Sequence, residues 1–162
     1  MITESIDHLT EMNGGHVITI LLVRHADIDL PPATPDPSLN DAGRQRAEAL
    51  AHVVGSAGVS TVFTSSLRRT KETVGPTLEV LGIGAREMPA AVTVAREARA
   101  GTFGAVVLIA GHSNTVPEVI AALGVPSPPV IGETQFDNLF VVTLTEPTGA
   151  SLLALKYANP SA

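Results

Sequence analysis

The chain has 162 residues, no cysteine and a formal net charge of −6. This length suits one domain with a single core, and the lack of cysteine excludes disulfides, zinc–thiolate sites and a cysteine nucleophile. The negative charge argues against nucleic acid and membrane surfaces as partners. No apolar run is long enough for a membrane helix, and the acidic N-terminus is not a secretory signal. We therefore expect a cytoplasmic protein.

In chain order, the first part of the sequence predicts a tail, a strand, a loop and a helix. Residues 1–15 are a polar tail, and we assign residues 16–162 to one domain. Residues 17–23 (VITILLV) form a β-branched apolar run that is typical of a parallel strand buried on both faces. The proline-rich stretch 30–37 predicts a loop. A helix then begins after Asn40 as its N-cap, with apolar residues at helical spacing as far as Val54.

The rest of the chain continues the alternation of strands and helices. The predicted elements are a strand over 61–64, a helix over 67–81 that Pro76 should kink or split, a short edge strand over 85–89, a helix over 92–100, a strand over 105–110, a helix over 115–123, and strands over 138–144 and 151–156 joined by a turn at 147–149. This order predicts a three-layer α/β/α sandwich with a mostly parallel central sheet and an antiparallel edge.

Polar clusters follow three of the predicted strands. Arg24 and His25 follow the first strand, residues 65–70 (SSLRRT) follow the second, and residues 111–115 (GHSNT) follow the third. Ligands of open α/β sheets bind beyond the carboxyl ends of the strands. We therefore expect the three clusters to converge at one edge of the sheet.

The converging side chains suit phosphoryl transfer. A phosphoryl group in flight carries negative charge on its equatorial oxygens, and arginines donate to such oxygens in a two-point geometry. A neutral imidazole is a competent nucleophile near pH 7. Backbone amides after Gly111, at the start of a helix, add an anion-binding nest. Two further residues there, Ser113 and Asn114, are candidate substrate ligands, and Asn114 is equally a candidate helix cap.

These motifs resemble the histidine phosphatase superfamily, also called the phosphoglycerate mutase-like fold. The resemblance covers the chain from about residue 17 to its end, and it rests on four elements in order: Arg24-His25-Ala26, Leu39-Asn40-Asp41-Ala42-Gly43 with Arg46-Ala47, the stretch 65–73 (SSLRRTKET), and Gly111-His112-Ser113. It implies that His25 is the phosphorylated nucleophile, that Arg24 and Arg69, rather than Arg68, hold the phosphate, and that His112 is the second pocket histidine.

The sequence also departs from the family pattern. Ala26 replaces the usual glycine, and the segment between Thr73 and Gly111 is short, without the glutamate-bearing lid of the mutase-type members. The residue that would act as general acid is therefore unassigned. The carboxylates that remain candidates are Glu87, Asp27, Glu97 and Asp137.

The expected function is a phosphatase that hydrolyses a phosphomonoester or phosphoramidate through a phosphohistidine on His25. Its substrate would be a small-molecule phosphate or a phosphohistidine protein. We expect no cofactor and no metal, because the two arginines would repel a divalent cation. The alternatives are a phosphoglycerate mutase-type phosphoryl transferase and a catalytically idle phosphate-binding module. The loops at 28–37, 87–102 and 125–135 are expected to set specificity.

Overall fold

The structure is a computed structural model that describes residues 16–147 and 149–161. The predicted polar tail at residues 1–15 and Thr148 of the predicted turn lie outside these residues, and the single-domain assignment of residues 16–162 stays a prediction. The elements are β1 (Ile18–Arg24), α1 (Asp41–Val54), β2 (Thr61–Thr64), α2 (Arg68–Leu81), β3 (Ala85–Glu87), α3 (Ala91–Arg99), β4 (Val106–Gly111), α4 (Thr115–Ala122), β5 (Asn138–Thr145) and β6 (Gly149–Lys156).

The described strands form one six-stranded sheet in the order β3-β2-β4-β1-β5-β6. The pairs β3–β2, β2–β4 and β4–β1 are parallel, whereas β5 pairs antiparallel with β1 and β6 antiparallel with β5. In this register Arg24 pairs with Gly111 and Thr64 with Ala110. The carboxyl ends of β1, β2 and β4 therefore lie side by side, and the predicted mostly parallel sheet with an antiparallel edge is confirmed.

Helices cover both faces of the sheet. Successive residues of a strand point to opposite faces, so Ile20 and Leu22 of β1 belong to a core packed against α3 and α4, while Leu21 and Val23 belong to a second core packed against α1 and α2. Full burial of each such side chain contributes about 1.5–3 kcal/mol. The predicted three-layer α/β/α sandwich is confirmed, and its central strand holds the Arg24-His25 pair in place.

Local signals predicted most element boundaries to within two residues. The predicted N-cap at Asn40 is confirmed, because its Oδ1 accepts a hydrogen bond from the Gly43 amide at 2.9 Å. The predicted split at Pro76 is wrong, since α2 runs through it without interruption. The buried side chains of Thr73, Val74 and Thr77 pack this helix on both sides of the proline, and that packing outweighs the one hydrogen bond that proline removes.

No helix among residues 16–147 and 149–161 is long and apolar enough to cross a membrane.

Candidate active site

The predicted site residues lie together at the carboxyl edge of the sheet. They surround a cavity of about 440 Å³ whose lining includes the six predicted residues Arg24, His25, Arg69, His112, Ser113 and Asn114. Arg24 ends β1, Arg69 lies in the first turn of α2, and residues 112–114 connect β4 to α4. The parallel register that aligns β1, β2 and β4 thus brings distant parts of the sequence to one cavity.

The His25 imidazole is held in a defined tautomer. Its Nδ1 lies 2.8 Å from the backbone oxygen of Ala26, which can only accept a hydrogen bond, so Nδ1 carries the proton. Nε2 therefore holds the free lone pair. The ring is 3 % exposed, and this burial, reinforced by the positive charge of Arg24, lowers the pKa of His25 to about 3 against the opposing Ala26 hydrogen bond. The imidazole is neutral at pH 7, as a nitrogen nucleophile must be.

His112 lies beside His25, with ring centroids 5.4 Å apart and a tilt of 59° between the rings. Burial, followed by the charges of Arg69 and Arg24, lowers the pKa of His112 to about 4. Its Nε2 lies 2.8 Å from the Ser65 hydroxyl. The Ser65 hydroxyl therefore fixes the ring through Nε2, and Nδ1 is the ring nitrogen that can face a ligand.

Ser65 belongs to a hydrogen-bond network that sequence reasoning did not assign. Its Oγ lies 2.9 Å from the Thr70 hydroxyl and accepts a hydrogen bond from the Leu67 amide at 3.3 Å. Thr70 is fully buried and lies 2.9 Å from the Leu67 backbone oxygen, to which its hydroxyl can donate. Ser65 thus ties His112 to the first turn of α2. The available signal was its position at the start of the SSLRRT cluster.

Arg69 lies at the start of α2, between the cavity and the loop at residues 30–37. Its Nη1 lies 3.5 Å from the Pro35 backbone oxygen and 3.9 Å from the Asp36 carboxylate. Its Nε is buried and lacks a hydrogen-bond partner among the described residues, which is costly unless a ligand supplies an acceptor. Arg68 is exposed and contacts Ser38 outside the cavity lining.

Arg24 also binds the backbone of a distant loop, which the sequence did not predict. Its Nη1 donates to three backbone oxygens, those of Gly132 at 3.0 Å, Glu133 at 2.7 Å and Gln135 at 3.0 Å. The guanidinium carbon lies 4.2 Å from the centroid of the Phe136 ring, and burial lowers the pKa of Arg24. Its buried Nε, like that of Arg69, has no partner within the described chain. Arg24 therefore anchors the loop at 132–135 through Nη1, and the loop does not use its other guanidinium nitrogens.

Ser113 and Asn114 occupy the turn between β4 and α4. Asn114 is exposed and occupies the N-cap position of α4, as one interpretation of the sequence expected, but within the described residues its side chain makes no capping hydrogen bond. Instead, the Thr115 hydroxyl accepts a hydrogen bond from the His112 amide at 2.9 Å. The Asn114 side chain therefore does not cap the helix, and the roles of Ser113 and Asn114 as substrate ligands stay predictions.

The four candidate general acids lie elsewhere. No aspartate or glutamate of the described chain is among the residues that line the cavity. Each candidate is exposed or already paired: Asp27 with Arg46 at 2.6 Å, Asp137 with Lys156 at 3.0 Å, Glu97 with Thr102 and Arg96, and Glu87 exposed on β3. The cavity therefore combines anion-binding donors and two neutral imidazoles without a carboxylate in its lining.

The structure has the α/β fold of the phosphoglycerate mutase-like class. Residues 20–92 match the family model of the histidine phosphatase superfamily (branch 1). This match confirms the resemblance that the motifs carry, and the matched segment includes Arg24, His25 and Arg69.

One curated sequence relative covers most of this chain. PE-PGRS family protein PE_PGRS11 of Mycobacterium tuberculosis (strain ATCC 25618 / H37Rv) is 30 % identical over 158 residues, which are 91 % of this chain and 26 % of that protein. The chain therefore spans about a quarter of the length of this curated relative.

The structural likeness covers most of the chain. The protein histidine phosphatase SixA complexed with tungstate has a TM-score of 0.71 and 19 % identity, over 86 % of this chain and 97 % of that one. Phosphoglycerate mutase from Bacillus anthracis str. Sterne has a TM-score of 0.67 and 14 % identity, over 87 % and 93 %. At such identities the likeness establishes the fold.

Proposed function

We propose that this chain is a phosphatase that hydrolyses a phosphomonoester or phosphoramidate through a phosphohistidine on His25. One observation carries the proposal: the Nδ1–H group of His25 is bonded to the Ala26 backbone oxygen at 2.8 Å, which leaves the Nε2 lone pair free on a neutral ring in a cavity lined by Arg24 and Arg69. A nucleophile fixed in its reactive tautomer beside anion-binding groups suits attack on phosphorus.

In the first step, Nε2 of His25 attacks the phosphorus in line with the leaving group. The N–P bond forms while the bond from phosphorus to the leaving oxygen or nitrogen breaks, and the leaving atom takes the electron pair. The Nε donors of Arg24 and Arg69 and the Nδ1 atom of a protonated His112 stabilise the equatorial oxygens. Binding of the anion favours this protonation because it places negative charge beside the ring.

In the second step, water attacks the phosphohistidine. The new P–O bond forms, the N–P bond breaks, the electron pair returns to Nε2, and inorganic phosphate leaves with the protons of the water. With no carboxylate in the described cavity lining, the first step favours leaving groups that need little protonation, such as an aryl oxide or an imidazole.

The substrate class follows from the same chemistry. A small-molecule aryl phosphate or a phosphohistidine on a protein meets the requirement for a good leaving group, and SixA, which resembles this chain in structure, is a protein histidine phosphatase. A mutase that returns the phosphoryl group to an organic acceptor would leave a phosphorylated acceptor as product, and its detection would replace this proposal.

A second candidate is a catalytically idle phosphate-binding module. The absence of aspartate and glutamate from the described cavity lining favours it, because most leaving groups need a proton donor. Such a module would be stabilised against heat by inorganic phosphate and would release phosphate from no ester or phosphoramidate.

The test is to trap the covalent intermediate. The protein is mixed with an aryl phosphate that carries a radiolabelled phosphoryl group, and samples are quenched in acid and in base. The proposal predicts release of the aryl alcohol and a label on the protein that is stable in base and lost in acid. His25→Ala should abolish both, whereas His52→Ala, which changes an exposed histidine on α1, should retain both. Near-wild-type turnover by His25→Ala would contradict the proposal.

A further inference from the structure

Much of the cavity wall beyond the phosphoryl-binding groups is apolar, and Thr34 and Thr115 add hydroxyl groups to it. Ile28 and Leu67 line it together with three prolines of the segment after β1, at positions 32, 35 and 37. Proline side chains neither donate nor accept hydrogen bonds, so these walls favour an apolar group by removing its surface from water. A cavity of about 440 Å³ has room for a phosphoryl group and a ring.

In the proposed function, the positively charged side chains of the cavity bind the phosphoryl group. Arg24 and Arg69 are the arginines or lysines that line it among the described residues, and part of Arg24 is committed to the loop at 132–135. A second acidic group on the substrate would need a further cation to offset the loss of its hydration.

The carboxylate of Asp36 lies beside these walls. Asp36 lies between Pro35 and Pro37, and its Oδ1 accepts a hydrogen bond from the Arg68 amide at 2.8 Å, at the start of α2. The same oxygen is 3.9 Å from Arg69 Nη1. The N-terminus of α2 and the Arg69 guanidinium would attract an acidic group that entered along this wall. Asp36 lies at the same position, and its negative charge would repel that group.

We infer that the site selects a phosphoryl group carried by an uncharged, largely apolar leaving group, and that Asp36 is a specificity-determining residue that disfavours a second anionic group. This inference rests on the proposed function, because it describes the leaving-group side of the same cavity. It excludes substrates whose leaving group carries a carboxylate or a further phosphate next to the reacting phosphorus.

The test uses phosphonates, whose P–C bond is not hydrolysed, so that binding is measured apart from turnover. Calorimetry at low salt compares methylphosphonate, phenylphosphonate and 4-carboxyphenylphosphonate on the full chain. Phenylphosphonate should bind more tightly than both others. Asp36→Asn removes the charge and keeps an acceptor for the Arg68 amide, and it should reduce the preference for phenylphosphonate over the carboxylated probe about fivefold, as expected for one charge pair near a protein surface. Asp41→Asn, which changes an exposed aspartate of α1, should leave the preference unchanged.

The outcomes separate the inference from the proposed function. Equal affinity for phenylphosphonate and its carboxylated analogue, or no gain over methylphosphonate, would overturn the selection of an apolar leaving group. An unchanged preference in Asp36→Asn would overturn the role of Asp36. If no phosphonate binds, both the inference and the phosphoryl site fail. If phenylphosphonate is preferred but no phosphohistidine is trapped, the inference stands and the proposed hydrolysis fails.

Discussion

Acid should destabilise this protein through the buried imidazole of His25. The unfolded chain takes up a proton at His25 near the ordinary pKa of 6.5, whereas in the folded protein burial lowers that pKa to about 3. Between these values the unfolded state binds more protons than the folded state. Stability is therefore complete above pH 6.5 and falls as the pH drops toward 3.

The magnitude follows from the distance between the assay pH and the unfolded pKa. Each pH unit in this window costs about 1.4 kcal/mol for one group, so at about pH 5 the His25 contribution is a loss of about 2 kcal/mol in the free energy of unfolding. Because the ring is 3 % exposed, solvent screening reduces this value little.

Urea denaturation at about pH 7.5 and about pH 5 measures the effect, compared between the wild type and His25→Ala. The cavity left by the substitution lowers stability at both pH values and cancels in the comparison, as do the titrating groups that do not contact His25. The wild type should lose about 2 kcal/mol more than His25→Ala on acidification, and His52→Ala should behave as the wild type. Equal losses in the wild type and His25→Ala would refute the reasoning.

Substitutions at Ser65, Asn40 and Gly43 test local supports of the site and the fold, and Ser65→Thr and Gly75→Ala are their controls. Ser65→Ala should lower kcat about tenfold with little change in KM, since one hydrogen bond to His112 is lost, and Ser65→Thr should retain activity; equal kcat values in steady-state assays would argue against this positioning role. Asn40→Ala should reduce the free energy of unfolding by about 1 kcal/mol in urea melts. In the same melts, Gly43→Ala should destabilise by about 2 kcal/mol, because its Cβ would lie 2.2 Å from the Asp27 backbone oxygen. Gly75→Ala, with no described atom within 4 Å of the added Cβ, should instead be neutral or stabilising, and a reversed order of the two glycine variants would contradict the packing argument.

The sequence by itself determined the secondary-structure elements and the candidate site residues. The apolar run before Arg24 marks a strand buried on both faces, and strands that alternate with helices require a parallel sheet whose carboxyl ends meet. These patterns are local, so they can be read without coordinates. The placement of Arg24, His25, Arg69 and His112 around one cavity follows from them.

Only the tertiary structure decided how those residues are held. The hydrogen bond from Ser65 to His112, the three backbone oxygens around Arg24 and the carboxylate of Asp36 beside Arg69 all join segments that are far apart in sequence. Pro76 likewise stays within a helix because buried neighbours stabilise it there. Such contacts depend on which loops pack over the carboxyl edge of the sheet. Hydrophobic periodicity does not show which loops these are.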